Sequence, residues 1–144
     1  MVARKKLMVV SLVVVGFVLL GITAERITLP GTTDTMKTQA AEYITVSDKP
    51  LPPNAFTYDG CTLFPDVLPG LSLYEPCLQH DIAYWAGGDI SGRKLADVAL
   101  RDAISHTSPV GFVLAPVMYT GVRLFGNSFI TKLFNAHWGY GWDT

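Results

Sequence analysis

Only two cysteines, Cys61 and Cys77, occur in the 144 residues, and charge is scarce, with Asp, Glu, Lys and Arg making up 16% of the chain. No Arg/Lys-rich patch or run appears in the body of the chain, which argues against nucleic acid as a partner. No G-x-S-x-G turn is present, so the exposed serine of an esterase elbow is missing. Internal repeats and low-complexity tracts are also lacking. What is there begins with Arg4, Lys5 and Lys6, followed by an uncharged run from Leu7 to Ala24. That is the pattern of a secretion signal, and its length reaches the lower limit of a membrane span. Residues 1–24 are expected to be a signal peptide or an N-terminal membrane anchor. Either one exports the rest, giving a secreted protein or one anchored with its domain on the extracytoplasmic side. Beyond Ala24 the chain carries 8 Lys and Arg against 12 Asp and Glu, a net charge of −4. An oxidising destination favours pairing of the two cysteines. The short loop so closed is stabilised by about 3 kcal/mol.

Residues 25–54 are rich in Thr, Pro and small polar residues, with "LPGTTDT" and "DKPLPPN" as punctuation. This stretch is expected to be a flexible linker, with "EYITV" as one short strand at most. Residues 55–144 are then one small domain, mainly α. A loop from Asp59 to Gly70 leads into a first helix that starts near Glu75 and stops at Gly87-Gly88. A second helix is capped by Asp89 or Ser91 and reaches about His106. A third is capped by Thr107 or Ser108, carries Pro109 in its first position, ends before Gly126 and is kinked at Pro116. Val110 to Val122 is too short and too broken for a second membrane span and reads as a buried helix.

The segment "YEPCLQHDIAYWAGGD" holds the chemistry. At about 100° per residue, Cys77, His80, Asp81 and Tyr84 fall within one arc of the first helix, apart from an apolar stripe of Leu78, Ile82 and Trp85. The second helix has its own stripe of Ala96, Leu100, Ala103 and Ile104. Asp97 sits at its edge and Asp102 points away. Two antiparallel helices joined by a Gly-Gly turn bring Asp97 towards His80. A carboxylate on one imidazole nitrogen fixes the tautomer and leaves the other nitrogen to take a proton. Asp81 is better placed to hold a hard cation, for which Asp59 and the carbonyl of Gly60 supply further oxygens. A Cys61–Cys77 bridge draws that loop beside Asp81.

The arrangement C-x-x-H-D-x-x-x-Y, as Cys77, His80, Asp81 and Tyr84, resembles the secreted phospholipase A2 family. "DGCTLFPD" before it and the "AD" at Asp97 look like the small prokaryotic and fungal branch, and "YTGVRLFG" is similar to that branch's closing helix. The resemblance covers about Tyr58 to Gly126. It implies a calcium-dependent hydrolase that cleaves the sn-2 acyl ester of phospholipids at a membrane surface. His80 would be the general base for a water, Asp97 would orient His80 and Tyr84 would support Asp97. Asp81, Asp59 and Gly60 would hold calcium. Two other readings stay open: a catalytically silent domain of this type that binds lipid or calcium, and an envelope interaction module in which the His-Asp helix is structural. His106 reads as a helix-end residue facing the dipole. Trp138, Tyr140 and Trp142 fit a lipid interface or a fold-back over the helix pair.

Overall fold

Thr33 opens the first helix by accepting a hydrogen bond from the Met36 backbone N–H at 3.3 Å, while Met36 Sδ accepts from the Thr33 N–H. The helix, α1, spans Asp34–Val46 and buries Met36, Ala40 and Ile44, one residue per turn on a single face. They pack with Phe56, Leu78, Ile82 and Trp85. Over residues 32–54 this corrects the expectation of a flexible linker, and of a strand at "EYITV"; residues 25–31 of that expected linker lie outside the described residues. Burying Met36 and Ile44 contributes roughly 1.5–3 kcal/mol each, which outweighs the modest cost of Thr in a helix. The computed structural model describes residues 32–58, 60–61, 64–128, 131–132 and 136–143. The expected signal or anchor at 1–24 lies outside them. No helix among the described residues is long and apolar enough to cross a membrane.

The described residues are mainly helical. After α1, a short antiparallel hairpin pairs β1 (Val67–Leu68), inside the stretch expected to be loop, with β2 (Leu71–Ser72), just after it. Helix α2 spans Tyr74–Ala86 and ends at Gly87, whose positive φ terminates the helix. Helix α3 spans Ile90–Ser105, capped by Asp89 through the Gly92 N–H at 2.7 Å. Helix α4 spans Pro109–Phe125, capped by Ser108 through the Gly111 N–H, and continues through Pro116 as one element.

Two details of patterning differ from expectation. The buried line of α3 is Arg93, Asp97, Leu100 and Ile104, whereas Ala103 is exposed. Asp97 is therefore at the centre of the buried face, not its edge. In α4, Gly111, Leu114 and Ala115 are buried, but Phe112, Val113 and Val117 are exposed. The expected buried helix is thus buried along one side alone.

Cys61 and Cys77 form a disulfide with a Cα–Cα distance of 5.3 Å. It joins the loop before the hairpin to the first turn of α2, within a core that also contains Leu73, Leu100, Ile104 and Leu114. The C-terminal segment folds back over α2. Trp138 Nε1 donates to the Gly88 carbonyl and Trp142 Nε1 to the Ala86 carbonyl, both at 2.9 Å. Gly139 N–H donates to the Tyr84 carbonyl at 2.7 Å, and Lys49 Nζ to the Gly87 carbonyl at 2.6 Å. Carbonyls at a helix C-terminus lack intrahelical donors. Here the aromatic tail and Lys49 supply them. The tail therefore takes the fold-back arrangement, with Tyr140 buried and its hydroxyl on the Thr57 carbonyl.

Candidate functional site

Asp97 is completely buried on α3, between α2 and the end of α4. A buried carboxylate is tolerated only when its oxygens are matched. Oδ1 accepts from His80 Nε2 at 3.0 Å and from the Tyr84 hydroxyl at 2.7 Å. Oδ2 accepts from Arg123 Nη1 at 2.6 Å, and Arg93 Nε lies 3.9 Å away. His80 and Tyr84 are four residues apart on α2, so they rise from one face, with ring centroids 4.1 Å apart.

The electrostatics follow from these contacts. Burial alone would push the Asp97 carboxyl up, but hydrogen bonds from His80, Tyr84 and Arg123 outweigh it and hold the group below its ordinary value. Burial raises the Tyr84 phenol, so it stays a neutral donor. The bond to Asp97 raises Arg123. An ionised Asp97 can only accept, so His80 carries its hydrogen on Nε2 and its lone pair on Nδ1. That nitrogen faces the Asp81 side: Asp81 Oδ1 is 4.0 Å from it.

Sequence patterning gave no role to Arg93, Arg123 or Asp66. Arg93 is buried, and its Nη2 donates to the Val122 and Arg123 carbonyls at 3.1 and 2.9 Å, where the end of a helix favours a cation. It stands four residues before Asp97, a spacing at which Arg and Asp pair on a helix. Arg123 is 26 residues from Asp97, and no local pattern announces that contact. Gly126 closes the arrangement from α4. A Cβ there would run into the Tyr84 hydroxyl, so only glycine lets α4 end so near Asp97's partner.

Of the residues expected to hold calcium, Asp59 lies outside the described residues. Gly60 adopts φ 89°, a conformation that favours glycine, and the Asp66 carboxylate leaves no room for a side chain. Asp66 also accepts from the Cys61 N–H at 2.6 Å and so fastens the loop to the hairpin. The disulfide places the Gly60–Cys61 turn beside the first turn of α2, and Asp81 is one turn further on. Among the described residues no group of three His, Cys, Asp or Glu side chains gathers to hold a metal.

The remaining histidines and acids lie elsewhere. Asp102 is exposed and paired with Arg101 at 2.7 Å. His106 Nδ1 lies 2.6 Å from the Asp102 carbonyl at the end of α3. His137 is buried in the tail with Nε2 3.1 Å from Asp143, and its Nδ1 has no hydrogen-bond partner. Compared with protein-family models, curated proteins and solved structures, this chain gives no significant match.

Proposed function

We propose that the chain is an exported ester hydrolase of the phospholipase A2 type, with His80 as the base that activates water. The observation that carries this reading is the His80–Asp97–Tyr84 relay, with Nε2 spent on a buried, ionised carboxylate and Nδ1 left as the basic nitrogen. His80 Nδ1 takes a proton from water as the oxygen attacks the sn-2 carbonyl, and Asp97 stabilises the imidazolium that results. His80 then returns the proton to the departing alkoxide, so no acyl-enzyme forms. Tyr84 and Arg123 hold Asp97 at the angle that aims the ring.

Calcium fits this reading by donor chemistry: a carboxylate at Asp81 and a carbonyl at Gly60, with Asp59 as the third ligand, are the oxygen ligands a hard cation prefers. Bound calcium supplies polarisation of the ester carbonyl. The substrate is a phospholipid at a membrane surface, and the protein acts on the extracytoplasmic side.

The test uses phospholipid vesicles and measures fatty-acid release with calcium and with a chelator. Wild type should release fatty acid only with calcium, and His80→Ala should release none while remaining folded, with a melting temperature lowered by the loss of one bond to buried Asp97. Asp81→Asn should lose the rise in melting temperature that calcium gives the wild type. Full activity in His80→Ala would retire the proposal. A second reading is supported by the two arginines on Asp97. In it the histidine, aspartate and arginines form a structural knot in a lipid- or calcium-binding domain without turnover. Calcium-dependent stabilisation with no fatty-acid release would select it.

A further inference from the structure

Pro109 to Val122 contains no charged residue and no histidine, yet burial in the domain accounts for only one side of α4. Phe112 and Val113 are 71% and 72% exposed, Leu124 is 68%, and Val110 and Val117 are each 50%. At about 100° per residue these side chains, with Pro116, share one arc of roughly 160°. Two polar residues fall within it: Thr120, whose hydroxyl turns back onto the Pro116 carbonyl at 2.8 Å, and Arg123, whose guanidinium is turned inward onto Asp97 at 2.6 Å. Contiguous exposed apolar surface of this kind marks a contact with a partner or a membrane.

We propose that this face of α4 docks on the surface of a phospholipid layer, with the helix lying in the plane of the interface. Three observations favour lipid over a protein partner. The charged and hydrogen-bonding groups that give protein interfaces their register are few on this face, and its Thr120 and Arg123 already bond within the chain. Helix α4 has 17 residues, about 26 Å of helix, and Pro116 lies inside it, so it suits the interface and not a crossing. Third, seven residues separate Ala24 from Thr32, whose hydroxyl accepts from the Tyr58 N–H at 2.8 Å. If the uncharged run Leu7–Ala24 is retained in a membrane, the domain is tethered within roughly 25 Å of it. The same helix holds Asp97 through Arg123, so docking sets the His80 site at a fixed height over the surface. The choice of a phospholipid rests on the reading of the site given above.

The experiment uses the full chain with its disulfide intact and one added cysteine carrying an environment-sensitive dye. Val113→Cys places the dye at the centre of the face, and Glu42→Cys places it on the exposed side of α1. On uncharged phosphatidylcholine vesicles, the dye at 113 should shift to the blue and be quenched by lipid-chain quenchers, while the dye at 42 should do neither. Val113→Glu should weaken vesicle hydrolysis about tenfold, the worth of one buried aliphatic side chain. It should leave hydrolysis of a monomeric short-chain phospholipid unchanged. Failure of the dye at 113 to respond, although the chain sediments with the vesicles, overturns the proposal. So does a dye already dry without vesicles, whether dependent on concentration (a second copy) or not (residues 7–24 covering the face). Lipid insertion of the dye in a protein that releases no fatty acid would leave docking intact and sink only the hydrolase reading.

Discussion

Replacing Asp97 with Asn removes one charge and changes almost nothing in size, which makes it the sharpest probe of the buried cluster. Oδ1 keeps its role as acceptor for His80 and Tyr84. The position of Oδ2 becomes an NH2 group facing Arg123 Nη1 across 2.6 Å, donor against donor. Arg93, buried, loses its nearest counter-charge as well. Breaking a buried ion pair from one side costs about 3–5 kcal/mol. For a domain of this size that corresponds to a fall in melting temperature on the order of 10–20 °C. The pH dependence has a definite sign. The folded-state pKa of Asp97 is lower than its ordinary value, so its contribution is fully present above the unfolded carboxylate pKa of about 3.9. That contribution is lost as pH falls through the folded value. Urea denaturation of wild type at pH 7 and at decreasing pH down to 3 should therefore show an acid limb, and Asp97→Asn should show a much flatter one. Asp102→Asn, exposed on the same helix, should stay within about 0.5 kcal/mol of wild type. Equal losses at 97 and 102, or an acid limb unchanged in Asp97→Asn, would refute the argument. A rate measured on Asp97→Asn must accordingly be read beside its unfolding curve.

Three further outcomes are expected. Reduction and alkylation of Cys61–Cys77 should lower stability by roughly 3 kcal/mol, read as a shift in the denaturation midpoint, since the bridge closes a span of 16 residues. Gly126→Ala should cost about 1–3 kcal/mol by overpacking against Tyr84, and should lower hydrolysis more than Ser128→Ala does; unfolding curves and initial rates check both. Ala40→Glu, which puts a charge into the contact of α1 with α2, should destabilise the domain by several kcal/mol in a denaturant titration, whereas a linker would tolerate it within 0.5 kcal/mol.

Local signals made much of the helical frame legible. Asp89 and Ser108 cap α3 and α4, and Gly87 ends α2, because turn and cap chemistry depends on a few adjacent residues. The approach of Asp97 to His80 was legible for a related reason: two short-linked helices with facing stripes leave few ways to pack, whereas the place of Tyr84 on Asp97 was implied by the family resemblance alone. Helix α1 was hidden because its stripe of Met36, Ala40 and Ile44 sits among Thr residues and between Pro-rich flanks, and its partner surface, Phe56 and Trp85, comes from elsewhere in the chain. Arg123 was invisible since a long side chain crossing between elements leaves no periodic trace. The exposed face of α4 was misread as core because apolar composition reports affinity for an apolar neighbour without saying whether that neighbour belongs to the fold.

The indole groups of Trp138 and Trp142 bear on the order in which the molecule is assembled. They reach back 50 and 56 positions, to the carbonyl of Gly88 in the turn after α2 and to that of Ala86, the last residue of α2, the helix bearing His80 and Tyr84. A chain delivered from its N-terminus presents that helix long before its closing donors exist. Contacts over such separations form late, since the intervening chain must first be ordered. The closing of this helix thus depends on residues that come last: a chain that stops short of residue 138 has His80, Tyr84 and Asp97 but lacks the indole donors at the end of α2.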